Sequence, residues 1–487
     1  MRMERAEAEA IYEQGRETVV AVLLELSAQN ALLGRQVAEL SERLAKQDER
    51  IADLERRLNR NSSNSSTPPS QDPPGAPKRR QAAPSGRERG AQPGHPGRGR
   101  RLAPTEAVDE IVDHWPTRCR CGHVFCMAER QALGEPARHQ VAELPAIAVI
   151  VTEHRLDRLR CPACGAKPRA ELPRDVPGGA FGPRLQAAVA TLAVRNRVSR
   201  RDTTELLREL FGARIAAGSV DAMLRRAAAA LEQPYDDLLG HIRAAPAVNV
   251  DETGWRLRGG RRTLWGALTA HTALFRIAAD RHQREAQALL GEQFPGIACS
   301  DRWWAYNYLD AQRRQLCWAQ LVRDFAAHSE GLGAQKEFGL AGLRIARELF
   351  RTWEELAGDG DRARLVERIA PLKAELRALL EQAARKSARN RRHRTFAKNL
   401  LKLWPALWTF TEIDGVEPTN NHAERGLRGA VIYRKLSLGS QSEQGERSIE
   451  RLLSASVTCR LQQRSLFAYL SDALAAHIRG DPVPLLI

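Results

Sequence analysis

The sequence predicts a multidomain α+β protein: an N-terminal coiled-coil helix, a small zinc-binding unit, a helical DNA-binding region, and an α/β core interrupted by a helical insertion. Three observations predict it. A seven-residue apolar repeat ends at Leu58, five of the eight cysteines lie between Cys119 and Cys164, and the apolar period changes from helical to alternating at Ala247. A chain of 487 residues exceeds one ordinary core.

One seam of the repeat holds Leu23, Asn30, Val37, Leu44, Ile51 and Leu58; the other holds Leu26, Leu33, Leu40, Gln47 and Leu54. Sustained 3.5-residue spacing drives helices to pair, and Asn30 on the seam fixes register and favours two strands. Residues 10–60 are therefore expected to form a dimerisation helix, giving a homodimer or higher assembly. It stops at Asn61-Ser-Ser-Asn-Ser-Ser-Thr-Pro-Pro-Ser. Residues 61–110, rich in Pro, Gly and Arg, read as a disordered basic linker.

Residues 111–175 carry the cysteines. Cys161-x-x-Cys164-Gly is half of a zinc knuckle; Cys119-Arg-Cys121-Gly is one residue short of the other half, with Cys126 a substitute ligand. A structural Zn²⁺ on four of these five is expected. Residues 183–242 return to helical spacing. Asp202 to Phe211, the Gly212 break and a restart capped by Ser219 match a helix–turn–helix or a plain helical hairpin.

From Ala247 the pattern reads strand (to Leu257), turn (Arg258–Arg262), strand (Thr263–Ala270) and strand (His271–Ala278). A helix at Gln283–Leu290 and short strands at Gly296–Ser300 and Gln315–Trp318 follow. That is the order of a ribonuclease-H-like core, begun by residues 247–325, interrupted by a charged helical insertion at 326–412 and completed by 413–487.

Lys and Arg outnumber Asp and Glu by 75 to 59, a net charge of +16 that favours a polyanionic partner. Within the insertion, Arg391, Arg392, Arg394 and Lys398 are spaced to track a DNA backbone from one helix. No run of about 18 apolar residues occurs, so no membrane span is expected. The cysteine usage points to a reducing compartment, and a cytoplasmic, nucleoid-associated protein is expected.

Two acids end apolar strands: Asp251 in Val248-Asn-Val-Asp251 and Asp301 in Ile297-Ala-Cys-Ser-Asp301. Carboxylates brought together repel unless a cation lies between them, and hard oxygen ligands suit Mg²⁺ or Mn²⁺. A third acid, Glu424, stands in Pro418-Thr-Asn-Asn-His-Ala-Glu-Arg-Gly-Leu-Arg428, crowded by Asn421, His422, Arg425 and Arg428.

Taken together, these stretches closely resemble transposases of the insertion-sequence 66 family, of the Asp-Asp-Glu class. The resemblance covers nearly the whole chain. It rests on Asn61–Ser70, Arg160-Cys-Pro-Ala-Cys-Gly165, Val250-Asp-Glu-Thr-Gly254, Ser300-Asp-Arg-Trp303, Thr419-Asn-Asn-His-Ala-Glu-Arg425 and Arg434-Lys-Leu-Ser-Leu-Gly439. It implies a ribonuclease-H-like catalytic domain, with Asp251, Asp301 and Glu424 as catalytic residues holding two Mg²⁺ or Mn²⁺ ions. It also implies action on double-stranded DNA, at transposon ends and target, with accessory transposition proteins as candidate partners. Arg425 is a candidate to steady the scissile phosphate. Where the family often has Cys-x-x-His, this chain has Cys317-Trp-Ala-Gln320. Glutamine accepts no proton at neutral pH, so a decayed or repurposed DNA-binding copy is the alternative expectation.

Overall fold

The computed structural model describes residues 5–58, 101–356, 361–385 and 391–487. They fall into two compact units: Met1–Pro84 with Arg323–Leu340, and Ser85–Val322 with Ala341–Ile487. No helix among the described residues is long and apolar enough to cross a membrane.

The N-terminal unit contains α1 (Arg5–Glu13) and the 43-residue α2 (Arg16–Leu58). Along α2 the seam side chains stand in water: Leu23, Leu26, Leu33, Val37, Leu40, Leu44, Ile51 and Leu54 are between 39% and 61% exposed. The expected linker lies outside the described residues as far as residue 100.

In the larger unit, residues 101–182 form only short 3-10 turns and isolated bridges among irregular backbone. Then come α3 (Pro183–Ala190), a π turn (Thr191–Arg195), α4 (Arg200–Phe211), α5 (Ala217–Ala230) and α6 (Glu232–Ala244). Ser199 caps α4, and Gly212, left-handed at φ 65°, ends it. Ser219, expected as the next cap, lies inside the first turn of α5, which begins after Ala216. Val220, Met223, Leu224, Ala227 and Ala228 sink one face of α5 into the core against α3, while Arg225 and Arg226 on the other face stay exposed.

The sheet contains β1 (Ala247–Leu257), β2 (Gly260–Leu268), β3 (Ala273–Ala278), β4 (Ile297–Ser300) and β5 (Arg314–Leu316), with α7 (Gln283–Leu290) between β3 and β4. Its order is β3-β2-β1-β4-β5; the first three strands are antiparallel, β4 runs parallel to β1 and β5 parallel to β4. The first hairpin turns on two residues, Arg258 at φ 48° and Gly259 at φ 81°, tighter than the expected five. Positive φ at both positions matches the right-handed twist of the strands it joins.

Alternate residues of β2 face opposite cores. Leu264 and Leu268 join α3, α5 and the C-terminal helices, whereas Trp265 and Ala267 join α6, α7 and Tyr306. The insertion consists of α8 (Trp318–Ser329), α9 (Ala334–Leu356), α10 (Arg362–Ala384), α11 (Arg391–Lys402) and the short α12 (Thr409–Glu412). The chain closes with α13 (Asn421–Ser437), α14 (Glu443–Leu461) and α15 (Leu466–Arg479).

β3 is an edge strand, and an exposed edge invites unwanted pairing. Here α14 covers it with side chains one helical turn apart. Thr458 Oγ1 accepts from Ala273 N (3.0 Å), Ser454 Oγ from Phe275 N (2.9 Å), and Glu450 Oε1 from Ile277 N. Four residues of helix rise about 6 Å and two residues of strand about 6.8 Å, so the two repeats keep step.

The Arg434–Gly439 motif latches α13 to the β1–β2 hairpin. Arg434 donates to Gly254 O, and Ser440 exchanges hydrogen bonds with Arg256 O (2.8 Å) and Arg258 N (2.9 Å). Gly439, at φ 99°, lies so close that a Cβ would stand 2.3 Å from Arg256 O.

Candidate active site

Parallel pairing of β1 with β4 sets Asn249 opposite Cys299, and the chain then leaves the register at Asp251 and Asp301. Both acids thus stand near the same edge of the sheet, where side chains from distant sequence converge. The third element is α13. Asn420 occupies its N-cap position, but its side chain does not cap; Nδ2 donates to Val250 O at 2.6 Å. That bond ties the start of α13 to the residue before Asp251.

Helix α8 holds the same point from the other side. Trp318 N donates to Pro418 O (2.9 Å), Asn420 N donates to Cys317 Sγ (3.2 Å), and Gln320 Nε2 donates to Glu424 Oε1 (3.0 Å). Beneath α13, Gly426 leaves no room for a side chain: a Cβ would meet Leu268 Cδ2 at 2.3 Å.

Asp251 records the convergence electrostatically. Burial, with the charges of Glu252, Asp301 and Glu424 added, pushes its carboxyl up to about 8, against a hydrogen bond from Glu252 N. Asp301 is held by its own loop, Oδ1 accepting from Trp303 N at 2.7 Å. Asp251 thus feels the charges of both Asp301 and Glu424, after that of Glu252. Their donors are hard oxygens, as a divalent cation requires. Among the described residues, no group of three or more His, Cys, Asp or Glu is gathered into a ready-made ligand sphere.

Around the acids lies a layer that the sequence pattern did not reveal. Glu252 accepts from Tyr306 Oη (2.7 Å) and pairs with Arg281, whose guanidinium lies 4.4 Å from the centre of the Trp303 ring. Burial and the charge of Asp301 raise the Glu252 carboxyl, opposed by Arg281 and Tyr306. Arg314 is wholly buried and donates to Asp301 O (3.1 Å), Ser300 Oγ (3.3 Å) and Asn307 Oδ1 (3.0 Å). Burial brings its guanidinium down to about 10, although Tyr306 and Asp301 oppose the fall. The one available signal was Glu252, adjacent to Asp251 in the Val250–Gly254 motif.

The expected auxiliary residues divide. Gln320 touches Glu424. His422 Nε2 donates to Thr269 O at 2.8 Å, tying α13 to the end of β2. Asn421 is half-buried, and Arg425 is exposed on α13. On α11, His393, Phe396, Ala397 and Leu400 face inward while Arg392, Lys398 and Lys402 face water; Arg394 is half-buried, and the Arg391 side chain lies outside the described residues. Phe396 carries Arg302 against its ring at 4.7 Å, which sets this basic helix beside Asp301.

The cysteines form two separate turns. Cys119 N donates to His123 O (2.8 Å) and Cys161 N to Ala166 O (2.8 Å), each loop closed by a left-handed glycine, Gly122 or Gly165. Hydrogen bonds from Cys121 lower the Cys119 thiol, and those from Cys164 and Ala163 lower that of Cys161. The expected four-cysteine cluster is not assembled among the described residues.

Comparison with known proteins gives two long, distant relatives in Sinorhizobium fredii. The uncharacterized protein y4jD is 23% identical over 403 residues, covering 77% of each chain. The uncharacterized protein y4hP is 24% identical over 421 residues, covering 77% of this chain and 73% of its own. Residues 2–101 match a family of unknown function. Residues 178–448, more than half of the chain and including Asp251, Asp301 and Glu424, match the model of the transposase IS66 family, and the chain belongs to that family.

Proposed function

We propose that the chain is a DNA transposase of the Asp-Asp-Glu class, with Asp251, Asp301 and Glu424 as its catalytic residues on a ribonuclease-H-like core. The observation that carries this reading is the transposase-family match over residues 178–448, supported by the hydrogen bonds from Asn420 to Val250 O and from Gln320 to Glu424 that tie α13 to β1 and α8. The sheet order β3-β2-β1-β4-β5 supports the fold assignment.

Two Mg²⁺ or Mn²⁺ ions, when bound, would supply activation of the attacking oxygen and stabilisation of the leaving one. The acids would hold those ions; β1, β4 and α13 fix where each carboxylate begins. Gln320 orients Glu424, and Arg314 holds the backbone of Asp301. Arg425, exposed beside Glu424, is suited to a phosphate oxygen. The substrate is double-stranded DNA, cut at transposon ends and then joined through its 3′-hydroxyl to target. The basic face of α11 and the paired turns of the cysteine unit, closed by Zn²⁺, would bind or brace that DNA. The exposed seam of α2 supports pairing with a second copy.

The test is purified protein on DNA carrying the element's own ends. Parent protein cuts and Asp301→Asn binds without cutting; equal cutting by both removes the assigned site. A specific observation favours a second reading, a non-catalytic DNA-binding copy: Gln320 occupies a place where histidine is expected. A large gain of cleavage in Gln320→His would support it.

A further inference from the structure

We propose that Arg195, Arg197 and Arg460 form a docking site for the phosphate backbone of duplex DNA, beside the helix that carries Glu424. The proposal rests on the transposase reading and names a surface that its motifs do not include. Arg195 ends the π turn, Arg197 stands just after it, and Arg460 lies in the last turn of α14, on which the π turn packs. Burial and the like charges of Arg195 and Arg197 pull the Arg460 guanidinium below its ordinary value, so both stand within range of its charge.

Nearby arginines are paired or stacked. Arg200 has Asp221 at 2.5 Å, Arg451 has Glu232, Arg184 lies on Phe467 and Arg464 on Tyr469. The side chains of Arg195, Arg197 and Arg460 have no ion pair among the described residues. Clustered cations without an acid repel unless an anion joins them, and a guanidinium offers a phosphate two parallel donors.

Arg197 adds a second observation. It sits at φ 61°, a left-handed position following the π turn, closed by Val198 N donating to Leu192 O at 3.0 Å. Glycine is the usual occupant of such a place, and strain of this kind gathers at functional sites. The strained residue delivers its guanidinium to α13: Nη1 lies 3.8 Å from where a Cβ on Gly429 would stand. Gly429 follows Glu424 by five residues, about 7.5 Å along the helix and about 140° around it, so Arg197 flanks α13 on a different face from Glu424. A duplex with one strand at Glu424 brings further phosphates within that reach. Cations at helix C-termini also offset the helix dipole. That role requires neither their convergence nor an arginine at positive φ.

The test measures binding of a fluorescein-labelled linear duplex of random sequence to the full-length protein over a range of salt. Each lost phosphate contact lowers the slope of log affinity against log salt by about 0.9. Arg197→Gly is therefore expected to lower it by about 0.9, and the triple change to Gln by about 2.7. Glycine suits the backbone at 197, so this variant melts at or above the parent temperature while binding DNA less well. Unchanged slopes in both folded variants overturn the site. A triple variant with parent slope and full cleavage of the element's ends would defeat the docking site alone. A parent that binds with full slope yet cuts no such DNA would defeat the transposase reading alone.

Discussion

Gln320 donates to Glu424 across 3.0 Å, joining the first turn of α8 to the first turn of α13 although the two residues stand 104 positions apart. Cys317, one helical turn earlier, receives Asn420 N, so α8 grips both the start of α13 and its acid. A hydrogen bond to a charged group contributes about 1.5–3 kcal/mol, toward the low end at a half-buried site. Gln320→Leu is expected to lower single-turnover cleavage about tenfold or more while leaving duplex affinity unchanged. Cleavage at the parent rate would show that Gln320 does not hold Glu424 in its working position.

The Glu252–Arg281 pair makes a different demand. The Glu252 side chain is 1% exposed and its cation is half in water. Losing the partner of a buried charge costs about 3–5 kcal/mol, less here because solvent reaches Arg281. Arg281→Ala is expected to lower the urea midpoint, and adding Glu252→Gln should recover much of the loss. If the double variant is as unstable as the sum of the single ones, the two residues are not coupled.

The sheet was legible wherever alternation was strong, as in β1, because one side chain in two had to face a core. At β5 the expected strand was displaced: Gln315–Trp318 was read from its apolar end, whereas the strand is Arg314–Leu316, opened by a buried arginine that a polar pattern does not mark as strand. Trp318, read as the end of that strand, opens α8 instead. Asp301 follows the end of β4 as expected, but Asp251, expected to end a strand, lies inside β1, which runs on to Leu257 in its pairing with β2; Glu424 needed the family motif. Arg281 and Arg314 were not legible, since their partners depend on where loops return across the sheet. Spacing likewise identified both cysteine pairs, but spacing alone does not determine whether two turns meet.

Helix α14 and the edge of β3 give a stability prediction with a pH sign. Ser454→Ala strands Phe275 N in the core and is expected to cost about 1–3 kcal/mol by denaturant unfolding. Burial raises the Glu450 carboxyl, against the hydrogen bond from Ile277 N and the charge of Arg276. The folded chain thus holds that proton to higher pH than the unfolded chain, and this contribution to stability falls as pH rises above the ordinary carboxylate range. Glu450→Gln keeps an acceptor without the titration, so the variant should gain on the parent from acidic to neutral pH. A constant difference would contradict this.

Asp251 links the same thermodynamics to the proposed cation. Its carboxyl moves from an ordinary 3.8 up to about 8 through burial and three neighbouring acids. Between those values the folded chain keeps a proton that the unfolded chain has released, so stability falls as pH rises through the window. In chelator-treated protein the melting temperature should therefore decline from acidic pH toward pH ~8, and Asp251→Asn should flatten this decline. A divalent cation favours the ionised carboxylates and must displace that proton, so Mn²⁺ should raise the melting temperature more at the alkaline end. The shift is read without DNA or turnover, which separates cation binding from catalysis. Equal Mn²⁺ shifts at both ends of the window, or an undiminished shift in Asp251→Asn, would mean that the cation does not bind at Asp251.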